Sequence, residues 1–525
     1  MLLALADTAS GIIAAAPLFA RAVVAPPLAT DAEAEPVAGS ALIAFVAYFA
    51  LVVAIGLWAA RRSSGGMGAF FLAGRSLNKW VVALSAVVSG RSSWLLLGVS
   101  GAAYARGVSA LWFCVGYIVV EFLLFWDYAR RLRRFAEIHD DLTLPDFLAS
   151  RFPGNARLLR LLVVGLLLVF IPTYVGAQFS AGGKAFEAAF GMSASSGLWI
   201  TAAIVLGYTV TGGFLAVSLT DMLQAVFMLV ALVVLPLAAV ISMGGFDALA
   251  EGLSALDPSL LDPFAISAVA LAGGLAIGLG SPGNPHILVR YMSIDDPSQL
   301  RAAALVGTVW NTLMAAGALL IGLAARVAFP TQFLLATGGD PEQAYPVIAS
   351  LHLAPVVYGL VIASIFAAIM STADSQLLVA ASAVCRDVVQ KLLGRGGDER
   401  AMVRMSRLVV VALVLVAVPL GLSNNELILD WVLFAWAGLG AALGPTTILA
   451  LYWKRCTGAG VAAGIALGGG VACWWRYVVK PGMDEPLYEL IPGFAAGLLA
   501  TLIVSLFTRA PAETEAQFKA LRGET

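Results

Sequence analysis

The sequence predicts an all-α polytopic membrane protein with about thirteen transmembrane helices. Apolar residues make up 60% of the 525 residues, and Asp, Glu, Lys and Arg together only 12%, about half the charged share of an average soluble chain. Apolar runs recur along the whole sequence, and a helical run of about 20 residues crosses roughly 30 Å of hydrocarbon. The runs are continuous, without the alternation typical of β-barrel strands. They are centred near residues 50, 90, 117, 170, 203, 230, 275, 312, 365, 412, 438, 466 and 498.

The basic residues predict the orientation of these spans. Cytoplasmic loops of membrane proteins carry an excess of Lys and Arg, and here the basic groups follow the odd-numbered spans. We therefore expect the N-terminus outside the cell and the C-terminus inside. The groups lie at Arg61–Arg62, Arg130–Arg134, Arg290–Arg301, Arg386–Arg407 and Lys454–Arg455.

The two ends of the chain differ from the apolar spans. Residues 1–38 are rich in Ala and Pro, and their first basic residue is Arg21, so they lack the basic start of a signal peptide. We expect them to form a disordered extracellular tail, followed by a first transmembrane helix over residues 39–62. Two C-terminal helices are expected over residues 457–508, with a polar cytoplasmic tail over residues 509–525.

Two spans contain residues that interrupt a helix. The seventh span carries Gly280, Pro282, Gly283 and Pro285, and each proline removes a backbone donor and clashes with the preceding turn. The second span has a weak point around Gly90. Because these spans lie five apart, they fit two inverted five-helix repeats, residues 79–243 and 264–453, with a binding site between the interrupted helices. The alternative is a pair of ordinary kinked helices, since Gly and Pro are common in membrane spans.

Ionisable side chains inside the spans mark candidate functional positions, because each costs about 2.5–3.5 kcal/mol on insertion scales. Arg91 lies at the weak point of the second span and Asp374 in the ninth, and we predict that they pair. Asp221 opens the sixth span, either as a helix cap or first-turn acid or as a transport residue. Glu121 and Asp127, near the end of the third span, are assigned structural roles.

Hydroxyl groups of the ninth span suggest a cation site. Ser371 and Thr372 offer oxygen atoms, the ligands that hard cations such as Na⁺ prefer. The alternative is that both hydroxyls bond to the backbone of their own helix.

Other functional classes are excluded by what the sequence lacks. No G-x-x-x-x-G-K-[ST] motif is present, which argues against an ATP-driven pump. The three histidines and four cysteines show no ligand spacing, and no nucleophile–base pair is apparent. With 31 basic and 32 acidic residues, the charge balance does not indicate nucleic-acid binding. We predict neither an enzyme nor a bound cofactor.

Seven stretches, in matching order, resemble the sodium:solute symporter family and within it the sodium/proline symporters. The similarity runs from about residue 40 to residue 508. It implies a LeuT-like fold of thirteen helices with a 5+5 inverted repeat, located in the cytoplasmic membrane. It also implies alternating access driven by an ion gradient. The stretches are Ser92–Gly98, Leu142–Phe147, Ala181–Glu187, Gly212–Gln224, Gly283–Arg290, Met370–Leu378 and Ala435–Pro445.

The resemblance also implies a sodium site, with one half intact and one half altered. Proline symporters have an aspartate where this chain has Gly90, and a neutral residue where it has Arg91. Either the Arg91 charge stands where Na⁺ would bind, as a built-in cation, or the side chain turns away. In the second case it lines the solute path, pairs with Asp374 or binds an anionic solute. The implied cation-site residues are Val88, Arg91, Ala368, Ser371 and Thr372.

The implied solute site is altered as well. Trp94 and Tyr174 match the proline symporters, whereas the aromatic pair expected in the seventh span is replaced by Ile277 and Ser281. We therefore predict a wider and more polar pocket. The predicted solute-binding residues are Ser92, Ser93, Trp94, Tyr174, Gln178, Ile277 and Ser281.

Together these features predict a secondary transporter that imports a small solute, proline or a related amino acid, with Na⁺ as the coupling ion. Another amino acid or a small carboxylate is the alternative solute. One alternative mechanism is a sodium-independent or proton-coupled transporter or exchanger that uses Arg91 as its built-in cation. Another is a transporter-like sensor that binds solute without net flux. The expected partners are the solute, Na⁺ or H⁺ and the lipid bilayer.

Overall fold

The computed structural model describes residues 39–60, 66–330, 340–396, 398–423, 426–510 and 514–522. The predicted tail over residues 1–38 and the basic pair Arg61–Arg62 lie outside these residues. Each predicted span centre falls inside a helix. The number of membrane crossings and the side of each terminus stay predictions.

The helices of the described residues are numbered α1 to α20 in chain order. They are α1 Gly39–Ala60, α2 Gly66–Leu72, α3 Lys79–Ser93, α4 Ser100–Arg106, α5 Trp112–Leu123, α6 Ala129–Ile138, α7 Leu144–Arg151, α8 Ala156–Phe190, α9 Ala194–Ser242, α10 Phe246–Leu256, α11 Ala268–Ala276, α12 Pro285–Ser293, α13 Leu300–Ala328, α14 Ala344–His352, α15 Pro355–Ser382, α16 Glu399–Leu422, α17 Ile428–Tyr452, α18 Gly458–Trp474, α19 Leu490–Phe507 and α20 Thr514–Arg522.

The lengths and composition of these helices suit a membrane. In the described parts of the chain, ten helical stretches are long and apolar enough to cross a bilayer, and the stretch over residues 79–138 covers two predicted spans. Two shorter apolar stretches, residues 194–210 and 268–283, coincide with the fifth and seventh predicted spans. Large apolar side chains such as Phe507 are exposed on the outer helices, as expected where lipid is the solvent.

The fifth and sixth predicted spans form a single kinked helix, α9. At Gly213 the backbone takes φ 63° and ψ −177°, a left-handed conformation that favours glycine. A Cβ at this position would lie 2.8 Å from the Phe70 ring. The two spans therefore meet at one residue.

Both predicted spans are interrupted, but in the second span the break lies at Ser92 and not at the predicted Gly90, which is helical. In the second span the helical conformation breaks at Ser92, with φ 40° and ψ −165°, and a π-helical turn over residues 94–99 follows. In the seventh span a 3₁₀ segment over residues 277–283 follows α11. Asn284 is extended, and Pro285 begins α12. The predicted break residues Gly280, Pro282 and Gly283 lie in this 3₁₀ segment.

Ion pairs link helices on the face that is predicted to be cytoplasmic. Arg160 at the start of α8 contacts Asp146 of α7 at 2.6 Å and also contacts Asp387, beyond the end of α15. Arg386 donates to the same Asp146 at 2.8 Å. We call these four residues the inner ion-pair cluster. It ties three separate parts of the chain together on this side.

A cavity of about 810 Å³ lies on the opposite side of the protein. Arg106, Arg326 and Glu342 are among the residues around it, and Ile277 of the broken seventh span forms part of its wall. The interrupted helices are therefore approached from the face that is predicted to be extracellular.

The predicted polar tail contains a helix, α20, that packs against the rest of the protein. Phe518 and Leu521 are buried, and Arg151 of α7 donates to Gln517. Lys454 contacts Glu515 at 3.0 Å. The end of the chain is therefore docked close to α7 and the inner ion-pair cluster.

Candidate solute and cation site

Side chains of α8 hold the break in the second span. The Ser92 hydroxyl lies 3.3 Å from the Tyr174 hydroxyl. The amide of Gln178 accepts from the Ser93 backbone N–H at 3.1 Å and donates to Ser92 at 3.4 Å. The Trp94 indole donates to the Gly90 carbonyl at 3.1 Å. The structure thus brings these predicted solute-site residues together at the break.

The break in the seventh span is held in a similar way. The Trp436 indole of α17 donates to the Ile277 carbonyl at 2.8 Å. The amide of Asn284 donates to the Gly280 carbonyl at 2.8 Å. The predicted solute-site residue Ser281 is fully buried between these two bonds.

Aromatic rings connect the two breaks. The Tyr117 ring lies 5.9 Å from the Trp94 ring and 5.8 Å from the Trp436 ring, between centroids. The His286 ring lies 6.3 Å from both Trp436 and Tyr174. Rings of α5 and α17 therefore lie between the two breaks, and the wider and more polar pocket expected from Ile277 and Ser281 stays a prediction. No sequence pattern indicated Tyr117, whereas Trp436 lies in one of the seven family-like stretches.

Several buried polar atoms around the breaks have no hydrogen-bond partner among the described residues. Buried polar groups in proteins are nearly always hydrogen-bonded, so these atoms are able to bind water or a polar ligand. These atoms are Ser93 Oγ, Ser281 Oγ, Asn284 Oδ1, both ring nitrogens of His286, and Nη1 and Nη2 of Arg91.

Arg91 points towards α5 and α13. Its Nε donates to the side-chain carbonyl of Asn311, whose amide donates to the Glu121 carboxylate. The guanidinium carbon lies 4.2 Å from the centre of the Tyr117 ring and 5.2 Å from that of Trp94. No sequence pattern indicated Asn311, and the structural role predicted for Glu121 did not include this link to Arg91.

The predicted pairing of Arg91 with Asp374 is wrong. Asp374 accepts hydrogen bonds from the Tyr208 hydroxyl and from Ser375 at 2.9 Å. These partners lie on α9 and α15, whereas Arg91 is held by α13. Arg91 and Asp374 therefore have separate hydrogen-bond partners.

The predicted cation-site residues of α3 and α15 lie next to one another. The Ser371 hydroxyl is 3.4 Å from the Val88 carbonyl and 3.1 Å from the Ala368 carbonyl. The Thr372 hydroxyl donates to the Ser89 carbonyl at 2.9 Å. This cluster of neutral carbonyl and hydroxyl oxygens fits a hard monovalent cation. Arg91 contributes no side-chain hydrogen bond to either hydroxyl among the described contacts.

Asp221 forms a buried ion pair that the sequence did not reveal. Its carboxylate contacts Arg290 Nη2 at 2.7 Å and accepts from Ser85 at 2.6 Å, and both charged side chains are fully buried. The helix-cap interpretation of Asp221 is wrong, because the second half of α9 starts at Gly213, about two turns earlier. Asp127 pairs with Arg131 at 2.9 Å.

Comparisons with known proteins relate this chain to solute transporters. A match to the sodium:solute symporter family covers residues 70–468. The osmoregulated proline transporter OpuE of Bacillus subtilis is 38% identical over 476 residues, which cover 90% of this chain and 96% of that protein. The high-affinity proline transporter PutP of Bacillus subtilis is 37% identical, with coverage of 87% and 96%. A sodium/proline symporter of Staphylococcus aureus is 35% identical, with coverage of 89% and 93%.

Two solved structures share the arrangement of helices. A sodium-coupled sialic acid symporter, in a substrate-bound outward-open state, superimposes with a TM-score of 0.78 at 18% identity, covering 90% of this chain and 99% of that chain. The nucleobase-cation-symport-1 transporter MHP1 gives a TM-score of 0.53 at 13% identity, with coverage of 86% and 98%. The likeness concerns the fold, which is LeuT-like, as predicted.

Proposed function

This chain belongs to the sodium:solute symporter family, and on this premise we propose that it imports proline or a related amino acid together with Na⁺. It is a multi-pass transporter of the cell membrane and not an enzyme. Its similarity to two proline transporters and a sodium/proline symporter supports the solute. Its likeness to a sodium-coupled symporter structure is consistent with the ion.

One observation carries the sodium proposal. The hydroxyls of Ser371 and Thr372 lie against carbonyl oxygens at the break of α3. When these hydroxyls rotate, their lone pairs and the carbonyl oxygens can surround one cation. Na⁺ would then bind to α3 and α15 together, so that its binding is coupled to the relative position of the two helices.

The direction of Arg91 supports sodium coupling over the built-in cation. A tethered cation would have to place its guanidinium among the oxygens of Ser371 and Thr372. Instead, the Arg91 side chain is held by Asn311 and lies over the Tyr117 ring. The cation position therefore stays available to an ion from solution.

Alternating access follows from the two faces of the protein. We infer that residues 79–243 and 264–453 are the two inverted repeats, because an interrupted helix lies at a corresponding place in each. The inner ion-pair cluster closes one side while the cavity of about 810 Å³ reaches Ile277 from the other. Release of solute to the inside then requires Arg160 to separate from Asp146 or Asp387.

The test is uptake of labelled proline into proteoliposomes, with and without an inward Na⁺ gradient at fixed pH. We expect uptake that depends on the Na⁺ gradient. Uptake that ignores Na⁺ but follows a proton gradient would replace the proposal with the proton-coupled alternative. Specific proline binding without flux would instead favour the sensor.

A further inference from the structure

We propose that Arg91 binds the carboxylate group of the transported solute through a direct ion pair and so determines specificity for acids. The inference rests on the proposed function, since it takes the space between the two breaks as the solute site. It goes further by assigning a chemical group of the solute to one side chain.

Arg91 has hydrogen-bonding capacity that the protein does not use. A guanidinium group carries five N–H donors in a fixed fork that matches a carboxylate. Nε is engaged by Asn311, and the Cys114 thiol also interacts with the guanidinium. Nη1 and Nη2 are buried and have no oxygen partner among the described residues. Both nitrogens can therefore pair with a carboxylate.

The guanidinium group of Arg91 is held in place by its neighbours. Asn311 fixes its Nε, and the rings of Tyr117 and Trp94 lie 4.2 Å and 5.2 Å from its central carbon. Glu121 accepts from the Asn311 amide and so fixes Asn311 without contacting Nη1 or Nη2 among the described contacts. The Cys114 thiol lies beside the guanidinium, and a neutral thiol does not neutralise its charge. A carboxylate would meet an oriented cation, with little rotamer entropy left to lose.

Hydrogen-bond donors outnumber acceptors among the unpaired groups at the two breaks. The carbonyl oxygens of Gly90, Ile277 and Gly280 already accept hydrogen bonds from protein side chains. The unpaired groups that remain include one acceptor, Asn284 Oδ1, and the ring nitrogens of His286, one a donor and one an acceptor in the neutral imidazole. The N–H donors of Arg91 outnumber these acceptors, and the hydroxyls of Ser93 and Ser281 can donate as well. A surplus of donors around a fixed positive charge favours an anionic group.

The experiment measures binding rather than transport, with purified full-length protein in detergent at saturating Na⁺. Dissociation constants from thermal-shift titrations are compared for three acid–amide pairs: proline and prolinamide, lactate and lactamide, and succinate and succinamide. Each pair keeps the size of the solute and removes one or more carboxylate charges. The variants are Arg91→Met and Arg91→Lys. Arg133→Met serves as the matched control, because Arg133 is equally buried but lies on α6, where it donates to the Ile294 carbonyl.

We expect wild-type protein to bind at least one acid roughly 10- to 100-fold more tightly than its amide, as a charge-assisted bidentate pair implies. Arg91→Met should bring the ratio close to one, and Arg91→Lys should leave a reduced preference. Arg133→Met should keep the wild-type ratio. If Arg91→Met does not fold, Arg91→Lys against wild type decides, since an unchanged ratio in that variant contradicts a bidentate pair.

Three outcomes would overturn the inference: no acid preference in the wild type, an unchanged preference in Arg91→Met, or no binding by any of the acids. Failure of the proposed function is distinguishable from these. Lactate or succinate binding that depends on Arg91, without proline binding, refutes proline as solute and supports the role of Arg91. Proline binding that is insensitive to Arg91 supports proline as the solute and refutes the role of Arg91.

Discussion

The hydroxyl of Tyr117 occupies the space in which a side chain at Gly90 would begin. A Cβ atom at Gly90 would lie 1.9 Å from this oxygen. Proline symporters have an aspartate where this chain has Gly90. The present packing leaves no room for a side chain at Gly90 while Tyr117 keeps its place. Glycine at position 90 and tyrosine at position 117 are therefore mutually dependent.

This dependence predicts strong coupling between two substitutions. Gly90→Ala should lower the free energy of unfolding by about 1–3 kcal/mol through overpacking. Tyr117→Phe removes the oxygen, so that the nearest remaining atoms would lie at 3.1 Å, and in that background Gly90→Ala should be much better tolerated. A double-mutant cycle on thermal stability in detergent measures the coupling. Gly470→Ala is the control, because a Cβ there meets nothing within 4 Å. Equal losses in both backgrounds would contradict the geometry.

The proposed cation site predicts a graded effect of hydroxyl removal. Ser371→Ala and Thr372→Ala should each raise the Na⁺ concentration for half-maximal uptake by roughly 3- to 10-fold, since one oxygen ligand is lost. Thr372→Ser keeps the oxygen and should stay near the wild type. Ser364→Ala, on the same helix, removes a hydroxyl bonded to Tyr345 at 2.9 Å and should leave the Na⁺ dependence unchanged. An equal shift in this control would assign the effect to the helix as a whole.

The buried pair of Asp221 and Arg290 predicts opposite behaviour of single and double variants. Breaking a buried pair leaves an uncompensated charge and costs about 3–5 kcal/mol. Asp221→Asn or Arg290→Met alone should therefore lower thermal stability severely, and the double variant by much less than the sum. Lys454→Met breaks the exposed contact with Glu515 and should cost about 1 kcal/mol or less. Additive losses at positions 221 and 290 would argue that the two charges are stabilised independently.

Asp141 predicts a pH dependence on the face that carries the inner ion-pair cluster. It lies between α6 and α7, and burial raises the pKa of its carboxyl from 3.8 to about 7. The fold therefore favours the protonated acid: the stabilisation is fully present below about pH 4 and is lost as the pH rises through 7. Asp141→Asn should flatten the fall of thermal stability over this range. Asp140→Asn, whose side chain is exposed, should leave the profile as it is in the wild type, and an unchanged profile in Asp141→Asn would refute the assignment.

Local sequence patterns predicted much of the fold. Length and apolarity locate a span because the bilayer demands an apolar helix of fixed thickness. The interruption near Pro285 could be predicted because proline and glycine act on their own turn. The kink at Gly213 could not be predicted, because a single glycine in an apolar run is compatible with a straight helix as well as with a kinked one.

The partners of the charged residues could not be predicted in the same way. Arg91 is 220 residues from Asn311 in the sequence, and Asp221 is 69 residues from Arg290. Which charges meet depends on how distant helices pack, and hydropathy contains no information on that. Arg91 and Asp374 looked like natural partners by depth alone, and packing gave each of them other neighbours.

The hydrogen bonds from Trp94, Trp436 and Asn284 to the carbonyl groups at the breaks have a consequence for energetics. These indole and amide groups fix both unwound segments through bonds within the protein, so folding bears the conformational cost of shaping the proposed solute site. A solute that binds there would spend little of its binding energy on ordering the site. A small solute has few atoms and therefore little binding energy. Most of that energy can then shift the equilibrium between the proposed outward and inward states.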